Sequence, residues 1–340
     1  QKQLISHINS NPQFIQPESR KNEVLGFLNK DLQDLCISRP KKRLSWGIEL
    51  PFDKKYVTYV WFDALINYIS AIGWNSNQDQ FNNCWPADYH LMAKDILTTH
   101  CVYWPTMLMA CDIQLPKTIF AHGWWLIDNI KMSKSLGNVI KPLDLADKYG
   151  SDALRYYLMR NMVLGQDASY SYESFVEVYN AELANDYGNL VNRILILIHK
   201  YFDGKIPVSS NYNDLDLELI EKAKQIPIQI IENYNNLKIH NAIKLNIGLF
   251  RSLNKYLELK SPWKLIKNDS NNKDDAASTL YIAIEILRIG TVLISPVMPE
   301  KAKELFNYLN LENIYDYSFG YLQNGHKILK PNNMFPKIEI

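Results

Sequence analysis

The sequence predicts an α/β domain with a parallel sheet, followed by an all-α domain built as a helical bundle. Between residues 53 and 141, short runs of β-branched and aromatic residues alternate with helical segments, and strands that alternate with helices usually pair in parallel. Beyond residue 142 the strand signal ends, and apolar residues recur at steps of three and four, as on amphipathic helices. A chain of 340 residues is long enough for both domains to bury a core.

The first 52 residues are predicted to form a polar and largely irregular connector. One helical patch interrupts it at Val24, Leu25 and Leu28. A basic cluster follows, Arg39-Pro40-Lys41-Lys42-Arg43. Such a cluster suits contact with RNA phosphates, and a solvated turn explains it at least as well.

Three strands and two helices are predicted for the sheet domain. In order they are a strand at 56–61, a helix with Asp63 as its N-cap, a strand at 88–92, a helix at 96–110 with Asp95 as its N-cap, and a strand at 118–121. Ligands of parallel sheets bind outside the carboxyl ends of the strands. The residues at those ends are expected to line one crevice: Trp61, Asp63, Lys94, Asp95, His122 and Gly123.

Two short helices at 143–149 and 151–158 are predicted to lead into the bundle. The bundle helices are predicted at 173–202, 214–235, 239–259, 262–268, 276–293 and 298–309. The first of them carries an apolar stripe that is expected to face the core, made of Phe175, Tyr179, Leu183, Tyr187, Leu190, Ile194, Leu197 and Tyr201.

Charge and cysteine content exclude several classes of protein. Lysine and arginine number 37 against 36 aspartates and glutamates, so the net charge is +1 and a nucleic-acid partner would need local basic patches and stacking surfaces. The four cysteines form no C-x-x-C pair. This pattern argues against a zinc site within this chain and against a disulfide framework, and it suits the reducing cytoplasm.

Membrane insertion is not expected. No apolar run approaches the ~20 residues of a membrane span, since Glu285, Arg288 and Pro296 interrupt the apolar stretch at 281–298. No signal peptide opens the chain. The first residue is Gln1 in place of methionine, which suggests a fragment of a longer protein.

One motif predicts chemistry on a polyphosphate. Residues 131–138, which we call the lysine loop, read Lys131-Met132-Ser133-Lys134-Ser135-Leu136-Gly137-Asn138. Two lysines three residues apart, with small hydroxyl residues between and beside them, can place two ammonium groups along a triphosphate and stabilise a leaving pyrophosphate. An isolated Lys-x-x-Lys is more often a solvated turn. The full pentapeptide, however, resembles the KMSKS signature of class I aminoacyl-tRNA synthetases.

Further segments narrow the resemblance to methionyl-tRNA synthetases of the bacterial type. They are residues 59–64, 85–88, 94–96, 122–124, 150–155 and 180–186, so the likeness covers nearly the whole chain. The resemblance implies the second half of a Rossmann-like parallel sheet, followed by an α-helical anticodon-binding bundle. It also implies four regions: a connector from the family's inserted domain (1–52), the second half of the catalytic domain with the lysine loop (53–141), a helical linker that contacts the tRNA stem (142–174) and the anticodon-binding domain (175–340).

The resemblance implies a ligase reaction. Methionine attacks the α-phosphorus of ATP, magnesium pyrophosphate leaves, and the methionyl group passes to the 3′-terminal ribose of the methionine tRNA. The residues implied in catalysis are Lys131, Ser133, Lys134 and Ser135. Those implied in ATP binding are Asp95, His122, Gly123, Met132 and Lys134. Those implied in methionine binding are Trp61, Ala64, Tyr68, Ile96 and His100, and those implied in anticodon reading are Asn189, Arg193 and Trp263. No metal ligand is implied within this chain.

Elementary chemistry is compatible with these roles. A thioether gains from aromatic and polarizable contacts, and one Tyr or His donor can recognise its sulfur. An unstacked base can lie on an indole with amide and guanidinium groups at its edges. Each residue taken alone also has a structural explanation: Trp61 as a core residue, His100 as a satisfied helix histidine, Asp95 as a helix cap and Arg193 as part of a surface salt bridge.

Several departures from the family pattern qualify the expectation. The family's His-x-Gly-His signature does not occur in the sequence, so the first strands and the zinc-binding insert are expected upstream of residue 1, and this chain alone is expected not to activate methionine. Ala93 stands where the family usually has glycine, and Trp125 replaces a smaller aliphatic residue. Two alternatives remain open: another class I synthetase, for leucine, isoleucine, valine or cysteine, or a non-catalytic tRNA-binding module derived from one.

Overall fold

A computed structural model describes residues 1–127, 130–132, 139–268, 273–312 and 315–339. The chain divides into two compact units, Gln1–Trp124 and Trp125–Ile340. Each unit has its own sheet and its own buried core. The predicted combination of an α/β part and an all-α part is confirmed.

The first unit combines short helices with a parallel sheet. Its elements are α1 (Lys2–Ser10), β1 (Ile15–Gln16), α2 (Glu18–Leu28), β2 (Ser38–Pro40), β3 (Tyr56–Thr58), α3 (Val60–Ala64), α4 (Asn67–Ser70), α5 (Gln78–Cys84), β4 (Tyr89–Ala93), a 3₁₀ turn (Lys94–Ile96), a π-helical turn (Thr99–Tyr103), α6 (Trp104–Ala110) and β5 (Thr118–His122).

Strand β5 is the centre of the parallel sheet. It pairs with β4 on one side and with β1 on the other, so that Ile119 lies opposite both His90 and Ile15. Residues 118–121 are all buried, as expected of a strand whose two faces are both covered. The predicted strands at 88–92 and 118–121 are therefore confirmed, and the ends of β4 and β5 meet at one edge of the sheet.

The strand predicted at 56–61 is wrong in its length and in its partner. Within this run the strand covers only Tyr56–Thr58, which pairs antiparallel with Ser38–Pro40 in a separate two-stranded ribbon. The third strand of the parallel sheet is Ile15–Gln16, inside the segment predicted to be irregular. A strand of two residues is too short to produce a period-2 pattern, and an aromatic, β-branched run does not reveal its partner.

Both predicted N-caps in this unit are also wrong. Asp63 lies inside α3, whose N-cap is Tyr59, and Asp95 lies inside the 3₁₀ turn, whose N-cap is Ala93. The N-cap of α3 therefore lies four residues before Asp63, and the N-cap of the 3₁₀ turn lies two residues before Asp95. Asp95 instead interacts with Trp124, which lies just beyond the end of β5. Trp124 Nε1 donates a hydrogen bond to Asp95 Oδ1 over 3.3 Å.

The second unit is a helical bundle with a small sheet at its start. Its elements are β6 (Trp125–Ile127), β7 (Ile130–Lys131), α7 (Pro142–Tyr149), α8 (Ser151–Asn161), β8 (Ala168–Tyr170), α9 (Tyr172–Val178), a π-helical segment (Tyr179–Gly188), α10 (Asn189–Phe202), α11 (Asp214–Asn235), α12 (Ile239–Lys260), α13 (Pro262–Asn268), α14 (Lys273–Ile294) and α15 (Pro299–Tyr308). The predicted bundle helices are confirmed to within three residues at each end.

The predicted apolar stripe of the long helix is buried except at its C-terminal end. Residues on the predicted stripe are buried up to Ile194, but Leu197 and Tyr201 are only partly buried. The buried face of α10 consists of Leu190, Val191, Ile194, Leu195 and Ile198.

Helix α14 forms the centre of the bundle. By length and composition it could cross a membrane, but its apolar window is 100% buried inside the unit, so it is a core helix here. Its one buried ion pair joins Arg288 Nη2 to Glu285 Oε2 over 2.8 Å, with both side chains fully buried. Arg288 also donates to the carbonyls of Asp316 and Ser318, and Glu285 accepts from the Leu322 amide, so the pair ties the C-terminal segment to α14.

Candidate functional site

A cluster of aromatic and histidine side chains lies beside the sheet of the first unit. The Tyr68 hydroxyl is 3.0 Å from His100 Nε2, and His100 Nδ1 is 3.1 Å from the carbonyl oxygen of Ile96. Because a carbonyl can only accept, Nδ1 carries the ring proton and Nε2 accepts from the Tyr68 hydroxyl. The structure thus joins Tyr68, Ile96 and His100, three of the five residues implied in methionine binding.

Trp61 joins the same cluster. Its ring lies edge-on to the His100 ring with centroids 6.2 Å apart, and it is only half-buried, so it is not locked in the core. Ala64, exposed at the end of α3, follows Trp61 by three residues and precedes Tyr68 by four. A cavity of about 660 Å³ opens beside the cluster, and its wall includes Tyr59, Trp61, Phe62, Leu65, Tyr103 and Met107.

Two residues that sequence reasoning missed support this cluster from behind. The His90 ring lies 4.4 Å from the Tyr68 ring, and His90 Nε2 accepts from Trp104 Nε1 over 3.4 Å. Burial lowers the pKa of His100, and it lowers the pKa of His90 to about 4, with a smaller contribution from the nearby His100. Both rings are therefore neutral at pH 7. The signal that the sequence offered for His90 was a histidine on the strand that precedes the helical segment of His100.

The ends of β4 and β5 bring together a second group of polar residues. Ala93 and His122 are partners in the parallel ladder, which places Lys94 and Asp95 beside Gly123 and Trp124. The Lys94 ammonium lies 4.1 Å from the centroid of the Trp124 ring, a cation–π contact, and Trp124 donates to Asp95. The expectation that the carboxyl ends of these two strands share one edge holds for this pair.

His122 is oriented by its own loop. Its Nδ1 lies 2.7 Å from the carbonyl oxygen of Gly123, so Nδ1 donates this hydrogen bond, which orients the ring. His122 is half-buried and Gly123 is buried. Trp124 was part of the recognised segment at 122–124 but was not predicted as a site residue; its contact with Lys94 shows that it belongs to this edge.

The lysine loop begins at the end of a short hairpin in the second unit. Lys131 is the last residue of β7 and pairs antiparallel with Leu126 of β6. It is exposed, and Met132 is partly exposed. Ser133, Lys134 and Ser135 lie outside the described residues, so the predicted roles of these three remain predictions.

The three residues implied in anticodon reading lie on α10 and α13. Arg193 is half-buried and donates to Oδ1 of Asn254 on α12, whose Nδ2 donates to the Asp186 carbonyl oxygen over 2.9 Å. Burial lowers the pKa of Arg193, and the charge of Glu258 opposes that shift. The partner of the arginine is thus the side-chain amide of Asn254. The structural explanation expected from the sequence was a surface salt bridge.

The other two members of this trio are more accessible. Asn189 is exposed and donates to Asn185 Oδ1 over 3.3 Å. Trp263 is half-buried at the second position of α13. Within the described part of the chain, no hydrogen bond or ring contact joins Trp263 to Asn189 or Arg193.

Comparison with known families gives a consistent result across both units. The family described as tRNA synthetases class I (M) matches residues 1–195, and the anticodon binding domain of methionyl tRNA ligase matches residues 206–340. This chain belongs to the methionyl-tRNA synthetase family.

Individual relatives agree with the family assignment. The methionine–tRNA ligases of Clostridium acetobutylicum and Clostridium tetani are 44% and 45% identical to it over 342 residues, 99% of this chain and 53% of each relative. The chain thus spans about half the length of the curated relatives it matches. The crystal structure of Mycobacterium tuberculosis methionyl-tRNA synthetase bound by methionyl-adenylate superposes with a TM-score of 0.93 at 38% identity, covering 98% of this chain and 66% of that one.

These findings support the fold class predicted from the sequence and favour neither alternative identity. All four cysteines lie in the described part of the chain and are free thiols. Among the described residues, no group of three or more histidine, cysteine, aspartate or glutamate side chains is arranged to hold a metal ion.

Proposed function

We propose that this chain serves a methionine–tRNA ligase, an ATP-dependent aminoacyl-tRNA synthetase that forms methionyl-adenylate and transfers methionine to its tRNA. One observation carries the proposal: the hydrogen bond between Tyr68 and a neutral, buried His100, set beside the half-buried Trp61. The relatives that are named methionine–tRNA ligases support the same reaction. Free thiols at all four cysteines fit a cytoplasmic location.

The pocket is suited to an uncharged thioether side chain. Aromatic rings from Trp61 and Tyr68 offer contacts that favour sulfur by ~0.3–1.5 kcal/mol each. A neutral His100 places no buried charge against an apolar substrate, which a charged ring would do at a considerable cost. We propose Trp61, Ala64, Tyr68, Ile96 and His100 as the methionine-binding residues on this basis.

The activation step needs charge stabilisation more than covalent chemistry. The methionine carboxylate attacks the α-phosphorus of ATP, the bond to the β-phosphate oxygen breaks, and pyrophosphate leaves with magnesium, which enters as part of the nucleotide substrate. We propose that Lys131 and Lys134, with Ser133 and Ser135, stabilise the charge on the departing phosphates. No side-chain nucleophile is required, because the substrates themselves supply both reacting groups.

The nucleotide is proposed to bind at the ends of β4 and β5. Asp95, His122 and Gly123 are the residues of this edge that we assign to it, and Met132 and Lys134 of the lysine loop are assigned to the nucleotide through the family resemblance alone. The contacts that orient Asp95 and His122 support this role, because they hold a carboxylate and an imidazole near an edge where parallel sheets bind ligands. In the second step, the 3′-terminal ribose hydroxyl of the tRNA attacks the adenylate carbonyl and releases AMP.

The anticodon is proposed to bind at Asn189, Arg193 and Trp263. The half-buried guanidinium of Arg193 is already oriented by Asn254, so less side-chain entropy is lost when it meets a base. Trp263 offers a partly exposed indole on which an unstacked base can lie. This arrangement suits single-stranded RNA and needs no large positive field.

Two assays test the proposal. In the gene product that contains this chain, ATP–pyrophosphate exchange should depend on methionine and should be absent with leucine, isoleucine, valine or cysteine; exchange with leucine alone would assign the chain to a sibling enzyme. The Trp263→Ala variant should bind methionine tRNA about tenfold more weakly and should retain exchange. A gene product that binds the tRNA but shows no exchange with any amino acid would indicate a non-catalytic module.

A further inference from the structure

A buried carboxyl group ties the start of α11 to the end of α12. Asp216 is 1% exposed, and its Oδ1 accepts a hydrogen bond from the Tyr256 hydroxyl over 2.7 Å. The Lys260 ammonium lies 2.9 Å from the same oxygen and 3.2 Å from Oδ2. Oδ2 also accepts from the Asn213 amide over 3.0 Å. Three donors, one from the cap of α11 and two from α12, therefore converge on this carboxyl group.

Capping of α11 accounts for only one of these three contacts. In the capping box, the Asn213 side chain accepts from the Asp216 amide and the Asp216 side chain accepts from the Asn213 amide. A capping box needs neither a buried carboxyl group nor donors from a second helix. Tyr256 and Lys260 are four residues apart, so they lie on one side of the last turns of α12. The carboxyl group thus fixes both the position and the rotation of the end of α12.

Lys260 is an unusual member of this cluster, because its side chain is only 11% exposed. Lysine side chains are rarely buried unless they are paired. Because the removal of two charges from water can cost more than their attraction returns, a buried ion pair is weak evidence for stability. The ion pair is better explained by the geometry that it fixes, since a satisfied buried polar network specifies one arrangement of the chain.

That geometry is the junction between α12 and α13. Lys260 is the last residue of α12, and Ser261 follows it with φ 42° and ψ 55°, in the left-handed region. Residues other than glycine seldom adopt that conformation and keep it only when their surroundings hold it. The Ser261 amide donates to the Leu257 carbonyl oxygen over 3.0 Å, and its hydroxyl donates to the Glu258 carbonyl oxygen over 2.7 Å. The junction is thus built on the last turn of α12, which Asp216 holds.

Trp263 lies three residues after Lys260, on the far side of this junction. The Lys264 amide donates to the Ser261 carbonyl oxygen over 2.8 Å, so the first turn of α13 starts directly from Ser261. Pro262 has a fixed φ, which leaves little freedom between Ser261 and the indole. Helix α13 also packs against α14. A shift at the end of α12 would therefore move the Trp263 side chain while α13 stays on the bundle.

We infer that Asp216 is a positioning residue for anticodon recognition, which sets the place of the Trp263 indole by holding the end of α12. The inference rests on the proposed function, since it concerns how the proposed anticodon surface is held. The described part of the chain shows no hydrogen bond between Asp216 and Trp263, so the effect passes through α12. Lys260 is buried against Asp216, so it acts as an anchor of α12 and not as a cation that meets a phosphate.

The first test measures binding of methionine tRNA to the gene product that contains this chain. Lys260→Met keeps an unbranched side chain but removes the ion pair, and it should weaken binding about fivefold or more, toward the loss in Trp263→Ala. The double variant Lys260→Met/Trp263→Ala should bind as Trp263→Ala does, because both changes act on one stacking contact. Lys222→Met is the matched control and should bind as the parent does. Lys222 also joins α11 to α12, with its Nζ 2.7 Å from Ser252 Oγ.

A second variant tests the same anchor in a protein that keeps its ion pair. Tyr256→Phe removes one hydroxyl from the cluster and should weaken tRNA binding in the same direction by a smaller factor. Tyr281→Phe is its control, because that buried hydroxyl donates to the Leu322 carbonyl oxygen over 3.2 Å, and it should not affect binding. The salt dependence should keep the slope of the parent in Lys260→Met and Tyr256→Phe, since each lost phosphate contact would lower it by ~0.7–0.9.

Fluorine NMR separates positioning of the indole from a general loosening of the bundle. In protein labelled with fluorotryptophan, the signal that disappears in Trp263→Phe reports the surroundings of this indole. That signal should shift in Lys260→Met and Tyr256→Phe. It should be unchanged in the two control variants, Lys222→Met and Tyr281→Phe, and the other tryptophan signals should be unchanged in all four.

Three results would overturn the inference. They are an unchanged affinity and fluorine signal in Lys260→Met, losses that add in the double variant with Trp263→Ala, and a shallower salt slope that makes Lys260 a phosphate contact. Failure of the proposed anticodon surface looks different: Trp263→Ala itself would then bind methionine tRNA as the parent does, and both proposals would fall. If Trp263→Ala is weakened and Lys260→Met is not, only the positioning role of Asp216 is rejected.

Discussion

The hydroxyl of Tyr68 donates a hydrogen bond to Nε2 of His100 over 3.0 Å, although the two residues are 32 positions apart in the sequence. His100 can accept because its other nitrogen donates to Ile96, and burial keeps the ring neutral by lowering its pKa. The pair therefore fixes both the orientation and the charge of the candidate methionine site.

Removal of the Tyr68 hydroxyl should weaken methionine binding. Tyr68→Phe leaves His100 Nε2 buried without a donor, and an unsatisfied buried polar atom costs ~1–3 kcal/mol. In pyrophosphate exchange by the gene product that contains this chain, we expect KM for methionine to rise about tenfold while KM for ATP stays constant. Tyr317→Phe, at a surface position of the other unit, is the control. An unchanged KM for methionine would show that Tyr68 does not contribute to methionine binding.

The buried histidine behind the pocket should make stability depend on pH. His90 has a pKa of about 4 in the folded protein and 6.5 as its ordinary value, because burial disfavours the charged ring. Between pH 6.5 and 4 the unfolded chain binds a proton that the folded chain does not, so the free energy of unfolding falls as the pH falls, by up to about 1.4 kcal/mol per pH unit.

Urea unfolding of the parent and of His90→Gln, compared between pH 5 and 7.5, measures this contribution. The difference in the free energy of unfolding between the two proteins should shrink as the pH drops below 6.5 and should be constant above it. A difference that does not change with pH would show that His90 titrates normally in the folded chain.

Asn254 should matter for tRNA binding through the guanidinium it holds. Asn254→Ala removes the acceptor that orients Arg193, and a hydrogen bond to a charged group contributes ~1.5–3 kcal/mol. We expect about tenfold weaker binding of methionine tRNA, with exchange unaffected. The double variant with Arg193→Ala should be no weaker than Arg193→Ala alone, since both act on one contact.

A matched asparagine gives the control for that experiment. Asn241 lies on the same helix, α12, and its side chain has no hydrogen-bond partner among the described residues. Asn241→Ala should bind tRNA as the parent does. Additive losses for Asn254→Ala and Arg193→Ala would show that Asn254 acts elsewhere.

Breaking the buried ion pair of α14 should destabilise the bundle strongly. Arg288→Met leaves the Glu285 carboxyl group without its ionic partner at a fully buried position, and the loss of one partner of such a pair costs ~3–5 kcal/mol. The double variant Glu285→Leu/Arg288→Met should recover part of this stability. Lys301→Met removes one partner of a partly exposed pair with Glu304 and should cost less than about 1 kcal/mol in urea unfolding.

The bundle was predictable because its signal is local. Each long helix carries apolar residues at helical spacing along one continuous segment, and α11 also carries its start signal in the sequence, since Asn213 and Asp216 form a capping box. The strand at 118–121 was predictable for a similar reason, since a strand buried on both faces is apolar throughout. Helical spacing and short apolar runs can be recognised from neighbouring residues, without knowledge of residues that are distant in the chain.

The errors fall where the structure depends on partners. The run at 56–61 has the composition of a strand, but its first three residues pair with Ser38–Pro40 and the chain becomes helical at Val60. Ile15–Gln16 belongs to the parallel sheet, although a segment of two residues is too short to show the alternation of a strand. Strand pairing joins residues far apart in the chain, so composition alone does not select the partner.

The sequence by itself determined the two-part architecture, the helices of the bundle and, through its resemblance to a family, the residues to examine. Only the tertiary structure decided which of them meet: Tyr68 with His100, Arg193 with Asn254, and Glu285 with the amide of Leu322, across 32, 61 and 37 positions of the chain. The physical reason is that helix periodicity is written in neighbouring residues, whereas a hydrogen bond between distant side chains forms only when packing brings both into one water-poor place.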